Sequence, residues 1–208
     1  MPEMLQDSYR TIKKSSQGIF KDRGSKFLAF AWPVASEEEI KEILDTLRRD
    51  HHNARHHCFA WQLGADKILF RANDDGEPAS TAGKPILGQI QKHDLTNILI
   101  VVVRYFGGTL LGTGGLINAY GKAAADALDN ATIITRTIDE VFEIKFPYTS
   151  MNQVMKVIKE EQASLMEQDF GNGCRVMVCI PRKNSSSMKG RLQRIEKLIV
   201  NNKTGSYY

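Results

Sequence analysis

The densest concentration of chemically useful residues is Arg104-Tyr105-Phe106-Gly107-Gly108-Thr109-Leu110-Leu111-Gly112-Thr113-Gly114-Gly115. Five glycines fall within nine residues, between an aliphatic run and a helical pattern. Glycine tolerates positive φ and lets another chain or a ligand come close to the backbone. A helix opening at Gly114 to Ile117 presents unpaired N–H groups and the positive end of its dipole, which suits a phosphate or carboxylate. Arg104 can add a bidentate contact to an anion, and Tyr105 and Phe106 can stack on a base. With Asn118, the candidate anion-binding set is Arg104, Tyr105, Phe106, Gly107, Gly108, Gly112, Gly114, Gly115 and Asn118. The pattern is neither a Walker A loop nor the dinucleotide fingerprint. The alternative is conformational: the glycines let the loop pack on its own sheet, and the two aromatics are core residues.

A second constellation is Asn73-Asp74-Asp75-Gly76-Glu77-Pro78-Ala79-Ser80-Thr81-Ala82-Gly83-Lys84. Three acids within four residues can hold Mg²⁺ through oxygen ligands, or serve as acid and base. The alternative is a solvated turn, because Asp-Gly and Glu-Pro are ordinary turn dipeptides. A third is His51-His52-Asn53-Ala54-Arg55-His56-His57-Cys58. His56 and His57 would point to opposite faces of a strand, and no second His/Cys cluster completes a ligand set, so no metal site is expected. One inward histidine that hydrogen-bonds the acidic loop is expected instead. The second-loop set is then His57, Asp74, Asp75, Gly76, Glu77, Thr81, Gly83 and Lys84. No Ser or Cys stands beside an evident base, and there is no G-x-S-x-G.

The elements that must position these groups are readable in outline. Lys26 to Pro33 is a strand, with Leu28, Phe30 and Trp32 alternating onto one face. Ser36 and Glu39 have capping-box spacing, and Ile40, Ile43, Leu44 and Leu47 recur at helical spacing over Glu37 to Asp50. His57 to Leu63 and Lys67 to Arg71 read as strands, and Asn73 to Lys84 as a loop. Pro85 opens a short helix to about Lys92. Ile98 to Val103 is unbroken aliphatic, the pattern of a central strand buried on both faces. Leu116 to Leu128 forms a helix with Ile117, Tyr120, Ala124 and Ala127 on one side.

A second unit begins near Ile138, so domains are expected over 1–137 and 138–208. Val141 to Phe146 and Ala163 to Phe170 read as strands, Ser150 caps a helix, and Gly171-Asn172-Gly173 turns into a strand over Cys174 to Ile180. Ser187 opens a last helix, carrying Leu192, Ile195 and Leu198. The order is most of a split β-α-β unit, whose closing strand would fall within Val200 to Tyr208.

The chain has 208 residues, 42% of them hydrophobic and 25% charged, an ordinary globular composition. Its net charge of +4 is too small to imply nucleic acid. The distribution says more. Arg175 to Lys203 holds eight basic residues against the single acid Glu196, and Ser8 to Lys26 holds six against Asp22. Arg182, Lys183, Lys189, Arg191, Arg194 and Lys197 form a candidate nucleic-acid patch. A solvated basic face is the alternative. Cys58, Cys174 and Cys179 make an odd count without a CxxC pair, and they read as buried free thiols. No apolar run approaches the ~20 residues of a membrane span, and Met1 to Arg10 lacks a signal-peptide core. A cytoplasmic location without membrane association is expected.

Arg104-Tyr105-Phe106-Gly107-Gly108, then Leu111-Gly112-x-Gly114-Gly115-Leu116 and Ala119-Tyr120-Gly121, resembles the signature of the YigZ/IMPACT family. Asp74-Asp75-Gly76-Glu77-Pro78 with Thr81-Ala82-Gly83 is similar to its other motif, and Ala54-x-His56-His57-Cys58 to a third segment. One departure is visible. The family loop usually reads Pro-Ser-Gly-Thr, and here it is Pro78-Ala79-Ser80-Thr81. The resemblance implies an α+β fold. Its first domain would be like domain 2 of ribosomal protein S5, and its second ferredoxin-like, as in elongation factor G. Eukaryotic members regulate translation under amino-acid starvation, largely through an extra N-terminal domain. This chain has no room for that domain before Lys26, so their partner chemistry is not carried over. For the bacterial type the resemblance implies association with a ribosome or structured RNA. Two other functions stay open. One is an enzyme acting on a phosphorylated small molecule or nucleotide, the only case in which a cofactor, Mg²⁺, is called for. The other is a protein-docking adaptor.

Overall fold

The computed structural model describes residues 7–171 and 173–203, an α+β chain in two compact units. The first spans Tyr9–Arg136 and the second takes in the chain from Thr137 onward. Among the described residues no helix is long and apolar enough to cross a membrane.

The first unit contains β1 (Ser8–Ile12), β2 (Ser16–Asp22), β3 (Ser25–Pro33), α1 (Glu37–Asp50), β4 (His56–Leu63), β5 (Leu69–Asn73), α2 (Gly83–Lys92), β6 (Ile98–Tyr105), α3 (Gly112–Asp129) and β7 (Ile133–Thr137). Five strands form one antiparallel sheet in the order β2-β3-β6-β4-β5, and β1 pairs with β7 in a separate ribbon. The aliphatic run is β6, at the centre, with Ile98 to Val103 fully buried. Ile98, Ile100 and Val102 pack in one core with residues of α2 and α3, while Leu99, Val101 and Val103 pack in another with residues of α1. Both faces are covered, so the strand carries no polar alternation. In β3 the same rule buries both sets: Phe27, Ala29 and Ala31 fully, and Leu28, Phe30 and Trp32 in part against the α1 side.

Several boundaries differ from the expectation. β1, β2 and β7 carry no clear run of alternating apolar residues and go unread in the sequence. Helix α1 is capped as its spacing predicts: the Ser36 hydroxyl accepts from the Glu39 N–H at 3.3 Å, and Glu39 accepts from the Ala35 N–H at 2.8 Å. Helix α3 starts at Gly112, a turn earlier than expected. Its inward residues are Leu116, Ala119, Tyr120, Ala123, Ala124 and Ala127, which leaves Ile117 46% exposed on the outer side.

The second unit contains β8 (Asp139–Phe146), a single 3-10 turn (Tyr148–Ser150), α4 (Met151–Glu160), β9 (Ser164–Asp169), β10 (Cys174–Pro181), α5 (Arg182–Leu192) and β11 (Ile199–Lys203). Its sheet runs β11-β8-β10-β9, all antiparallel. Ser150 is buried in the 3-10 turn and makes no side-chain cap. Helix α5 begins directly after Pro181 rather than at Ser187, so Ile195 and Leu198 lie beyond its end while still packing on the core. The closing strand is Ile199–Lys203; residues 204–208 of the expected stretch, and residue 172 of the expected turn, lie outside the described residues.

Candidate functional site

The two sequence motifs meet at one end of the five-stranded sheet. Arg104, near the end of β6, is 6% exposed and gives its Nη1 to Glu77 Oε1 at 2.6 Å. Tyr120 of α3 donates its hydroxyl to the same oxygen at 2.7 Å. The side chain of Glu77 is only 4% exposed, so this is a buried ion pair. The Arg104 guanidinium carbon lies 5.5 Å from the ring centroids of both Phe27 and Phe106. Arg104 is therefore not a free hook for an anion. The sequence places a cation at the end of a strand, and the fold turns it inward because its neighbours along that face, Ile100 and Val102, point into the core.

The acidic loop divides its three carboxylates among three tasks. Asp74 Oδ1 accepts from the Ala82 and Gly83 N–H groups at 3.0 and 2.8 Å, capping α2 from a distance, and Oδ2 accepts from Ser80 N–H at 2.8 Å. Burial raises the Asp74 pKa, but these three donors outweigh it and hold the carboxyl below its ordinary value. Asp75 Oδ2 accepts from the His57 N–H at 2.7 Å, and Arg48 of α1 stands 3.9 Å from Asp75 Oδ1. Glu77 takes Arg104 and Tyr120. The carboxylates do not converge, and the described residues contain no cluster of three or more His, Cys, Asp or Glu arranged to hold a metal ion. The set does not fit Mg²⁺.

His56 and His57 do point to opposite faces. His56 Nδ1 donates to the Asp75 carbonyl at 2.9 Å, so the side chain that hydrogen-bonds the loop is His56. His57 is 5% exposed, its Nε2 lacks a partner among the described residues, and its Nδ1 lies 3.9 Å from Asp75 Oδ2. Burial lowers its pKa despite the nearby Asp75. Cys58, fully buried, lies 3.0 Å from the Asp74 carbonyl and 3.3 Å from the Tyr120 hydroxyl. Burial pushes both the Cys58 thiol and the Tyr120 phenol far up, so neither ionises near neutrality.

The glycines divide into two groups. A Cβ on Gly107 would fall 1.9 Å from the Gly24 carbonyl carbon, so Gly107 lets the loop after β6 press against the β2–β3 turn. Gly83 is equally constrained, with a Cβ only 2.5 Å from the Asn73 nitrogen. A Cβ on Gly108, Gly112 or Gly114 would meet nothing within 4 Å. Gly114 also lacks a positive φ, so neither packing nor backbone geometry requires it, and its backbone lies open. Beside this bare stretch Phe106 is 52% and Leu110 81% exposed, and Tyr105 is half-buried with its hydroxyl 2.8 Å from His51 Nδ1. Gly76 and Lys84 are exposed, and the Thr81 hydroxyl is turned back to the Pro78 carbonyl at 2.7 Å. Asn118 is exposed on α3, in a hollow with Gln89, Lys92 and Lys122.

Sequence reasoning counted the cations of the β2–β3 turn in a basic stretch but did not place them at this loop. The β2–β3 turn that touches Gly107 carries Lys21, Arg23 and Lys26, all exposed, and Lys26 pairs across the ladder with Tyr105. They belong to the first basic stretch, but only the turn's contact with Gly107 brings them to the loop. In the second unit the patch is divided. Arg182 pairs with Glu140 at 3.3 Å, and Arg191 with Glu161 at 2.9 Å and with Glu160. Lys183, Lys189, Arg194 and Lys197 are exposed and make no ion pair among the described residues. On the sheet of that unit Arg175 and Lys203 approach Glu143 at 2.9 and 3.6 Å, and these contacts bring the Glu143 pKa down to about 2, the Arg175 hydrogen bond contributing most.

Three outcomes test this geometry. Glu77→Ala or Arg104→Ala alone leaves a buried charge unpaired and is expected to destabilise the first unit by about 3–5 kcal/mol. Glu77→Ala with Arg104→Ala together is expected to cost less than the sum of the two, read by urea denaturation; simple additivity would mean that the pair is not coupled. Ser80 sits at φ +63, a left-handed position that glycine adopts without a Cβ clash. Ser80→Gly is expected to stabilise by up to about 1 kcal/mol in the same assay, and a loss would mean that the strain is not real. Because His57 is held neutral when folded, its contribution to stability is full above its ordinary pKa of 6.5 and declines as pH falls below that value. His57→Gln is expected to flatten this part of the stability profile; an unchanged slope would clear His57 of the effect.

A family profile described as the Impact N-terminal domain matches residues 23–128. The Bacillus subtilis protein named IMPACT family member YvyE is 32% identical over 180 residues, covering 86% of this chain and 83% of that one. Escherichia coli IMPACT family member YigZ is 33% identical over 170 residues, covering 81% of this chain and 83% of its own length. A solved structure described as a hypothetical protein superimposes with a TM-score of 0.74 at 30% identity, covering 94% of this chain and 97% of the other. The motifs at Arg104 to Gly115 and Asp74 to Gly83 both lie inside the matched domain, and the chain belongs to the IMPACT family.

Proposed function

We propose that this protein acts in the regulation of translation by docking on a ribosome or structured RNA, and that the contact surface is the bare backbone at the start of α3 with the cations of the β2–β3 turn. The observation that carries this reading is Gly114. In a helix, glycine costs about 1 kcal/mol against alanine, and here no neighbour asks for it. A helix start that carries one small side chain, Thr113, among three glycines and has no side-chain cap suits the phosphates of a nucleic acid, and the β2–β3 turn against Gly107 adds Lys21, Arg23 and Lys26. Phe106 is placed to stack on a base. Membership of the family supports the link to translation, which is what the resemblance attributes to eukaryotic members.

The finer fold reading belongs here too. The order β8-α4-β9-β10-α5-β11 with strands arranged β11-β8-β10-β9 supports a ferredoxin-like second unit. Likeness of the first unit to domain 2 of ribosomal protein S5 rests on family resemblance. A protein-docking adaptor is the second reading, favoured by the exposure of Phe106 and Leu110. The Mg²⁺-dependent enzyme draws no support, since all three carboxylates of the acidic loop have protein partners.

Co-sedimentation with ribosomes and with bare structured RNA across a salt series tests the first reading. Binding at physiological salt is expected to weaken steeply as salt rises, because several cations release counterions from phosphates. Arg23→Glu with Lys26→Glu is expected to weaken it, whereas Lys183→Glu with Lys197→Glu measures the part played by the second unit. Absence of binding even at low salt would remove nucleic acid from the account and leave the adaptor.

A further inference from the structure

The two edges of the five-stranded sheet are treated differently. At β2 the edge is closed by α3: Asp126 accepts from the Ile19 N–H at 2.8 Å, and Asn130 donates to the Gln17 carbonyl at 2.9 Å. At β5 nothing comparable occurs. Its backbone pairs with β4 on one side, and among the described residues no hydrogen bond reaches residues 69–72 from the other. The strand contains no proline and its pairing no bulge, and it exposes Leu69 (58%) and Phe70 (55%), with Ile68 just before it at 70%. An unpaired edge with exposed apolar side chains is the arrangement that natural sheets normally avoid, and on this five-residue strand Arg71 is the one charge.

The register shows what would fit there. Arg71 lies across from Trp61 and Leu69 across from Leu63, so both belong to the α1 face of the sheet. On that face a groove between α1 and the sheet is lined by the buried Ile40, Leu44, Phe59 and Trp61, by Arg71, and by five charged residues of α1, both acids and bases. Phe70 and Ala72 belong to the opposite face, across from Gln62 and Ala60. Arg71 is exposed and has no ion-pair partner among the described residues.

We propose that β5 takes up an extended peptide strand from another protein, one apolar at the two successive positions beside Leu69 and Phe70 and carrying an Asp or Glu beside Arg71. A second strand pairs with edge N–H and C=O groups that otherwise face water, and its side chains alternate between the two faces of the sheet. The exposed Leu69 and Phe70 select apolar neighbours, and the unpaired Arg71 selects an acid. A second copy of this chain fits less well, because an antiparallel two-fold pairing centred on the strand sets Arg71 against Arg71. The site is separate from the start of α3 and does not depend on the nucleic-acid reading.

The test is selection from a displayed random peptide library on the full chain, followed by anisotropy titration of the enriched peptides. Enriched sequences are expected to carry two successive apolar residues with an acid next to them. Leu69→Lys and Arg71→Glu, both at exposed positions, are each expected to weaken binding at least about tenfold, with circular dichroism confirming that both variants fold. Backbone N-methylation of one alternate set of peptide residues is expected to abolish binding, and of the other set to spare it, as strand pairing requires. No enrichment, equal binding to both variants, or tolerance of both methylation sets would overturn the proposal. A concentration-dependent dimer in light scattering that Leu69→Lys disperses would also overturn it and assign the edge to a second copy.

Discussion

A carboxylate and a guanidinium, both withdrawn from water, meet at one end of the five-stranded sheet. Neither Glu77 nor Arg104 is tolerable there without the other, because an unpaired buried charge costs several kcal/mol. Their pairing draws the acidic loop over the end of β4, brings Tyr120 of α3 onto the same oxygen and leaves Phe106 against the guanidinium. The loop's other acids then fall into place, Asp74 at the start of α2 and Asp75 on the backbone of β4. Four elements are thus tied to one ion pair, and the open surface at the start of α3 is presented by that frame.

This changes how the two motifs are understood. Their most chemical-looking residues are structural: the arginine, the three acids, the cysteine and the inward histidine all serve the protein's own interior. What faces solvent is plainer, a glycine-rich stretch with two small threonines, two apolar side chains and lysine and arginine on the neighbouring turn. A surface of this kind is suited to recognising shape and charge.

Much of this frame was legible in the sequence, for reasons that can be named. The run Ile98 to Val103 announced a strand covered on both sides, and Ser36 with Glu39 announced the start of α1, because each signal is local. The sequence does not decide whether Arg104 is exposed or buried in an ion pair, because its partner Glu77 is distant in sequence and nothing local reports it. The early start of α3 was hidden because glycines open helices poorly on propensity grounds, and Gly112 to Gly115 read as loop. β1, β2 and β7 lack a clear alternating pattern, since they are short and border the unit. The basic stretch of the second unit looked uniform, while its acid partners Glu140, Glu160 and Glu161 lie on other elements.

β6 belongs to two cores at once, lending Ile98, Ile100 and Val102 to one and Leu99, Val101 and Val103 to the other. The layers on either side of the sheet therefore share one backbone, and neither can loosen without dragging on the strand that the other needs. The first unit should melt as a single cooperative block, with no stable half-unfolded form in which α1 has left and the opposite layer stands.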